Sequence, residues 1–104
     1  MFIIPCKFNR SNPTIINLIK SIRQFHPKDE IVVVDSSSDD KSYFNDLLVY
    51  NVIIEDINNL QFPIGAYWYV FEKYKRDFYF CLHDSMVVKG NLDSFKQKEI
   101  TVLG

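Results

Sequence analysis

The chain has 104 residues, 47% of them hydrophobic and 24% charged, with a formal net charge of −1. That length suits one domain with one modest core, so residues 1–104 are read as a single domain. The near-zero charge argues against a nucleic-acid partner recognised through its phosphates. Three glycines occur, Gly65, Gly90 and Gly104, too far apart for G-x-G-x-x-G or G-x-x-x-x-G-K-[ST]. A nucleotide would have to be held by something other than a glycine-rich phosphate loop.

Cys6 and Cys81 fall in apolar segments and form no C-x-x-C pair. They read as reduced and buried, which suits a cytoplasmic setting. No apolar run approaches the roughly 20 residues that span a bilayer, and Met1–Pro5 is too short for a signal-peptide core. The expectation is a soluble, cytoplasmic chain that is not transmembrane.

In chain order, Phe2–Cys6 reads as a strand buried on both faces. Asn12 can cap a helix and Pro13 fits its first position. Ile15, Ile16, Leu18, Ile19, Ile22 and Phe25 then give Thr14 to Phe25 one buried stripe. The β-branched run Glu30–Val34 is the most secure strand and ends at Asp35. Ser36–Asp40 is a turn, followed by a short helix over Lys41 to Leu48. A third strand covers Asn51 to Glu55, and Asp56 to Gln61 reads as a loop. Pro63 opens a helix to about Lys75, with Ile64, Tyr67, Trp68, Phe71 and Tyr74 on the face expected to be buried. A fourth strand is expected over Asp77 to His83, a turn at Lys89–Asn91, and a last short strand at Ile100–Leu103. Alternating strands and helices predict an α/β fold, an open three-layer α/β/α sandwich on a mostly parallel sheet.

Parallel sheets bind ligands beyond the carboxyl ends of their strands, where strand order reverses. With an assumed order of three-two-one-four, Lys7, Asp35 and Asp84 converge on one crevice. Asp35 admits two readings, a turn cap or a ligand contact. Asp84 interrupts the apolar stretch Phe78 to Val88, and burying such a charge is costly unless it is paired or metal-bound. His83 beside it reads as a core or rim residue before it reads as a ligand. The Tyr67-Trp68-Tyr69 cluster reads as core, with Tyr69 the exception that could stack on a base or sugar. Lys73, Lys75 and Arg76 suit a helix C-terminus and its dipole.

Ile3-Ile4-Pro5, followed by a polar loop and a helix, and then Ile31-Val32-Val33-Val34-Asp35-Ser36-Ser37-Ser38-Asp39, resemble the opening of GT-A glycosyltransferases of the family-2 type. There a strand reading I-V-V-D-D-G-S-x-D ends in an Asp that contacts the nucleotide base. Asp35 matches that Asp, and Ser38 and Asp39 match the trailing residues. Phe80-Cys81-Leu82-His83-Asp84-Ser85-Met86 falls where the family carries D-x-D, whose carboxylates hold Mn2+ or Mg2+ against the sugar-nucleotide diphosphate. The likeness covers about residues 2 to 92.

The resemblance implies a Rossmann-like, nucleotide-binding half of a GT-A fold. It implies transfer of a sugar from a nucleotide-diphosphate donor to an unknown glycan, protein or lipid acceptor. Pro5, Cys6, Lys7, Asp35 and Ser36 would line the nucleotide, and His83, Asp84 and Ser85 the metal and diphosphate. A divalent cation would then replace the missing glycine loop as counterweight to the phosphate charge. Two departures stand out. His-Asp-Ser supplies one carboxylate where the motif has two, and the acceptor-binding half has no counterpart after Leu92. A homo-oligomer or a partner chain completing the site is among the partners the resemblance leaves open. A non-catalytic nucleotide-binding module is the alternative. A receiver-type signalling domain, suggested by Asp56, is the remote one, since the acidic pair a receiver needs after its first strand is replaced by Cys6-Lys7.

Overall fold

β1 (Phe2–Cys6), β2 (Ile31–Ser36), β3 (Ile53–Ile57) and β4 (Phe80–Cys81) form one four-stranded sheet in the order β3-β2-β1-β4. Every pairing is parallel, with Cys6 opposite Asp35 and Asp35 opposite Asp56. The structure is a computed structural model, which describes residues 1–7, 14–57 and 63–94. The expected cap at Asn12-Pro13, the loop residues 58–61 and the strand at Ile100–Leu103 lie outside the described residues.

Three helices connect the strands: α1 (Thr14–Phe25), α2 (Tyr43–Leu48) and α3 (Ile64–Lys73). Strand residues alternate between the two faces, as the period of two requires. Phe2, Ile4, Cys6, Ile31 and Val33 join Ile15, Leu18, Ile19 and Ile22 of α1 and Tyr43 and Leu47 of α2 in one core cluster. Ile3, Val32 and Val34 pack with Ala66 and Val70 of α3 in the other. Chain order explains this division. The steps β1 to β2 to β3 run one way across the sheet, and the return from β3 to β4 runs back past β2 and β1. A crossover keeps the same hand in both directions only if the returning helix lies on the opposite face.

α1 keeps its expected bounds, but other elements differ for local reasons. α2 starts at Tyr43 rather than Lys41, because Asp40 accepts the Ser42 N–H at 2.9 Å in a turn that holds Lys41 outside the helix. β3 starts at Ile53 and takes in Asp56 and Ile57, which had read as loop. Asn51 precedes it with φ 57°, a left-handed conformation that Asn tolerates better than most residues.

The buried face of α3 is also not the expected one. The small residues Ala66 and Val70, one helical turn apart, press onto the sheet, while Ile64 and Trp68 are 71% and 62% exposed. Tyr67, Tyr69, Phe71 and Tyr74 flank the contact, partly buried. The side chains of Ala66 and Val70 let the helix approach the sheet more closely than an aromatic row would.

The largest correction is β4, which holds two residues where Asp77 to His83 was expected. Pro5 supplies the reason at its carboxyl end. Phe80 and Leu82 donate their N–H groups to the carbonyls of Met1 and Ile3, so the odd residues of β1 face β4. The next bond of a parallel ladder would run from the residue 5 N–H to the Leu82 carbonyl, and proline has no N–H to give. Tyr67 of α3 donates its hydroxyl to that carbonyl instead, at 2.9 Å. Pairing stops there, and the chain leaves β1 just before His83-Asp84-Ser85.

Candidate functional site at the carboxyl edge of the sheet

Strand order reverses between β1 and β4, and the residues beyond their carboxyl ends form a polar cluster. Asp84 is half-buried there, with Oδ2 3.9 Å from the Cys6 Sγ, which donates to it. Burial pushes the Asp84 carboxyl above its ordinary value, opposed by the nearby His83 and by backbone N–H groups of Asp84 and Ser85. Burial likewise pushes the Cys6 thiol up, to about 12, against the lowering effect of the adjacent Tyr43 hydroxyl. This thiol is therefore a hydrogen-bond donor and not a nucleophile at neutral pH.

Asp35 is fully buried at the end of β2. Its Oδ1 accepts the Ser38 N–H at 3.0 Å and its Oδ2 accepts the Tyr43 hydroxyl. Burial first, and then the bonded Asp35 and Cys6, hold the Tyr43 phenol well above its usual range, so it keeps its proton. Of the two readings open for Asp35, its partners are those of the turn cap. Ser36 and Ser38 are buried in the same turn, and Ser37 between them takes φ 61°.

The sequence-derived residues thus divide. Cys6, Asp35 and Asp84 come together, with Pro5 and Ser36 buried beside them. Lys7, His83 and Ser85 are exposed at the rim. The His83 N–H meets the Met86 Sδ at 3.3 Å, and its carbonyl accepts the Met86 N–H at 3.2 Å, a tight turn that aims the loop. Tyr43 was not singled out from sequence, yet it links Asp35 to Cys6. No signal marked it beyond a hydroxylated aromatic in a position of apolar spacing.

Other expectations resolve into structural roles. Asp56, the receiver-type phosphorylation candidate, pairs with Lys41 at 3.0 Å, both half-exposed. Lys75 donates to the Phe71 carbonyl at the end of α3, as a helix C-terminus invites. Lys73 instead pairs with Glu55 and Arg76 with Glu30. Tyr69 donates to Glu55 at 3.0 Å. Both cysteines are free thiols; Cys6 is buried as expected, whereas Cys81 is half-buried and packs on the α3 side of the sheet.

At the opposite end of the sheet, His26, Asp29 and Asp93 approach one another closely enough to suggest a metal group. The His26 Nε2 accepts the Leu92 N–H at 3.0 Å, so its proton sits on Nδ1 and is donated to Asp29 at 2.8 Å. Metal at Nδ1 would move that proton to Nε2, against the Leu92 donor. The arrangement is a structural tie. With Val88 donating to the Ser21 Oγ at 2.8 Å, it straps the segment after Met86 onto α1.

The described residues therefore form an α/β protein whose four-stranded parallel sheet is compatible with a Rossmann-like arrangement. Comparison with protein families, curated proteins and solved structures finds no match to the chain. No helix among the described residues is long and apolar enough to cross a membrane.

Proposed function

We propose that the chain binds a nucleotide-diphosphate sugar at the carboxyl edge between β1 and β4, as the donor-binding half of a GT-A glycosyltransferase. The observation that carries this reading is the half-buried Asp84 at the reversal of strand order, tied to the end of β1 through Cys6. Reversal points are where open parallel sheets take ligands. Helices on both faces agree with the three-layer arrangement such a domain needs.

The donor set at this edge fits Mg2+ or Mn2+ only in part. Asp84 is one carboxylate, with exposed His83 and Ser85 beside it. Mg2+ is commonly held by one or two carboxylates together with substrate phosphates and water, so Asp84 and a diphosphate could share it. Such an ion supplies charge neutralisation and Lewis acidity at the leaving diphosphate. The chain itself would orient Asp84 and carry the exposed Lys7 at the rim toward negative charge.

A second reading, a non-catalytic nucleotide-binding module, draws on Asp35. Both its oxygens are engaged within the fold, so the residue that the resemblance gives to the base is turned inward. Turnover separates the two readings. Release of nucleoside diphosphate from a nucleotide sugar supports the transferase; metal-dependent binding without release supports the module. Asp84→Ala is expected to abolish metal-dependent binding in either case, and unchanged affinity in that variant would sink both.

A further inference from the structure

We infer that Cys6 is a positioning residue for Asp84, fixing the carboxylate in the orientation that a diphosphate-bound cation would meet; this rests on the nucleotide reading above. The two residues are 78 positions apart and meet at 3.9 Å across the reversal of strand order. The backbone N–H groups of Asp84 and Ser85 also face the carboxylate, but they belong to the same loop and move with it. Cys6 belongs to a central strand, and its contact ties the loop to the sheet.

Proton accounting supports the direction of that bond. Asp35 and Asp84 each accept from a side-chain donor, Asp35 from Tyr43 and Asp84 from Cys6. The Tyr43 hydroxyl donates to Asp35. The Cys6 S–H donates to Asp84, and Tyr43 lies against the sulfur from the α2 side. The S–H group is a weak donor, but the bond is shielded by the buried Cys6 and Tyr43. Pro5 adds to the need for such a tie, because pairing between β1 and β4 ends before Asp84.

The test compares Cys6→Val, which keeps a strand-forming apolar side chain without a donor, with Cys6→Ser, which keeps a donor. Calorimetry reads Mn2+ affinity of the full chain in the presence of uridine, guanosine, adenosine or cytidine diphosphate, with Asp84→Asn alongside. Asp84→Asn is expected to lose the metal-dependent binding. Cys6→Val is expected to weaken it about tenfold, the low end for residues that orient a metal ligand, and Cys6→Ser to restore it to within about twofold. Should Cys6→Val fail to fold by circular dichroism, Cys6→Ala takes its place. Wild-type affinity in the donor-free variant, with the loss in Asp84→Asn intact, overturns the role of Cys6 and leaves the nucleotide reading standing. A serine variant no better than valine does the same. Absence of metal-dependent binding in the wild-type chain overturns both.

Discussion

At position 37 a serine adopts φ 61°, which costs a residue with a Cβ on the order of 1 kcal/mol. Ser37→Gly relieves that strain, and the greater freedom of glycine in the unfolded chain offsets part of the gain. A net stabilisation of about 0.5 kcal/mol is expected from urea unfolding; a lower midpoint would show that the Ser37 side chain holds the turn. Tyr43→Phe leaves the buried Asp35 Oδ2 without its hydroxyl donor. It is expected to cost about 2 kcal/mol in the same measurement, as for hydrogen bonds to charged groups. A loss within error would mean that Asp35 finds another donor. These residues also show where reading the sequence stops. Asp35 after a β-branched strand was visible as a cap or a contact, and only the placement of Tyr43 and Ser38 distinguishes the two.

Among the elements, α1 and β2 were legible because one physical pattern governed each: a single apolar stripe, and a run of β-branched residues. β4 and α3 were not, because their limits depend on partners distant in sequence. The aromatic run of β4 has strong strand propensity, but Pro5 removes the donor that would extend its ladder. Tyr67→Phe would leave the Leu82 carbonyl without its hydroxyl partner. The expected cost is about 1–3 kcal/mol, with hydrogen exchange faster in the residues around β4. Unaltered exchange there would contradict the substitution of Tyr67 for the missing proline donor. On α3, hydrophobicity pointed to Trp68 and Ile64, whereas closeness of approach selected Ala66 and Val70.

β3 and α3 are joined by Glu55, which has a measurable pH signature. Burial pushes its carboxyl up, but hydrogen bonds from Tyr74, Lys73 and Tyr69 outweigh this and hold it below its ordinary value. A folded pKa below the unfolded value makes Glu55 stabilising above about 4.5. That contribution is lost as pH falls through the folded value. Glu55→Gln is expected to flatten the acid limb of stability against pH, measured by urea midpoints between pH 6 and pH 3 (about the span in which carboxylates titrate). An acid limb as steep as in the wild-type chain would remove Glu55 from the account.

For the molecule as a whole, the order β3-β2-β1-β4 brings Cys6, Asp35 and Asp84 to one edge. The convergence was foreseeable once strand order was assumed, since parallel strands present their carboxyl ends together. Which of its two readings Asp35 takes, and that His83 lies at the rim and not in the core, were not foreseeable. Both follow from side-chain contacts that spacing does not encode. Calorimetric titration of the full chain with Mn2+ and the four nucleoside diphosphates tests the central claim most directly. The expected result is nucleotide binding that strengthens with Mn2+ in the wild-type chain and loses that dependence in Asp84→Ala. Binding of equal strength with and without Mn2+, or an Asp84→Ala variant that responds to metal like the wild type, would contradict it.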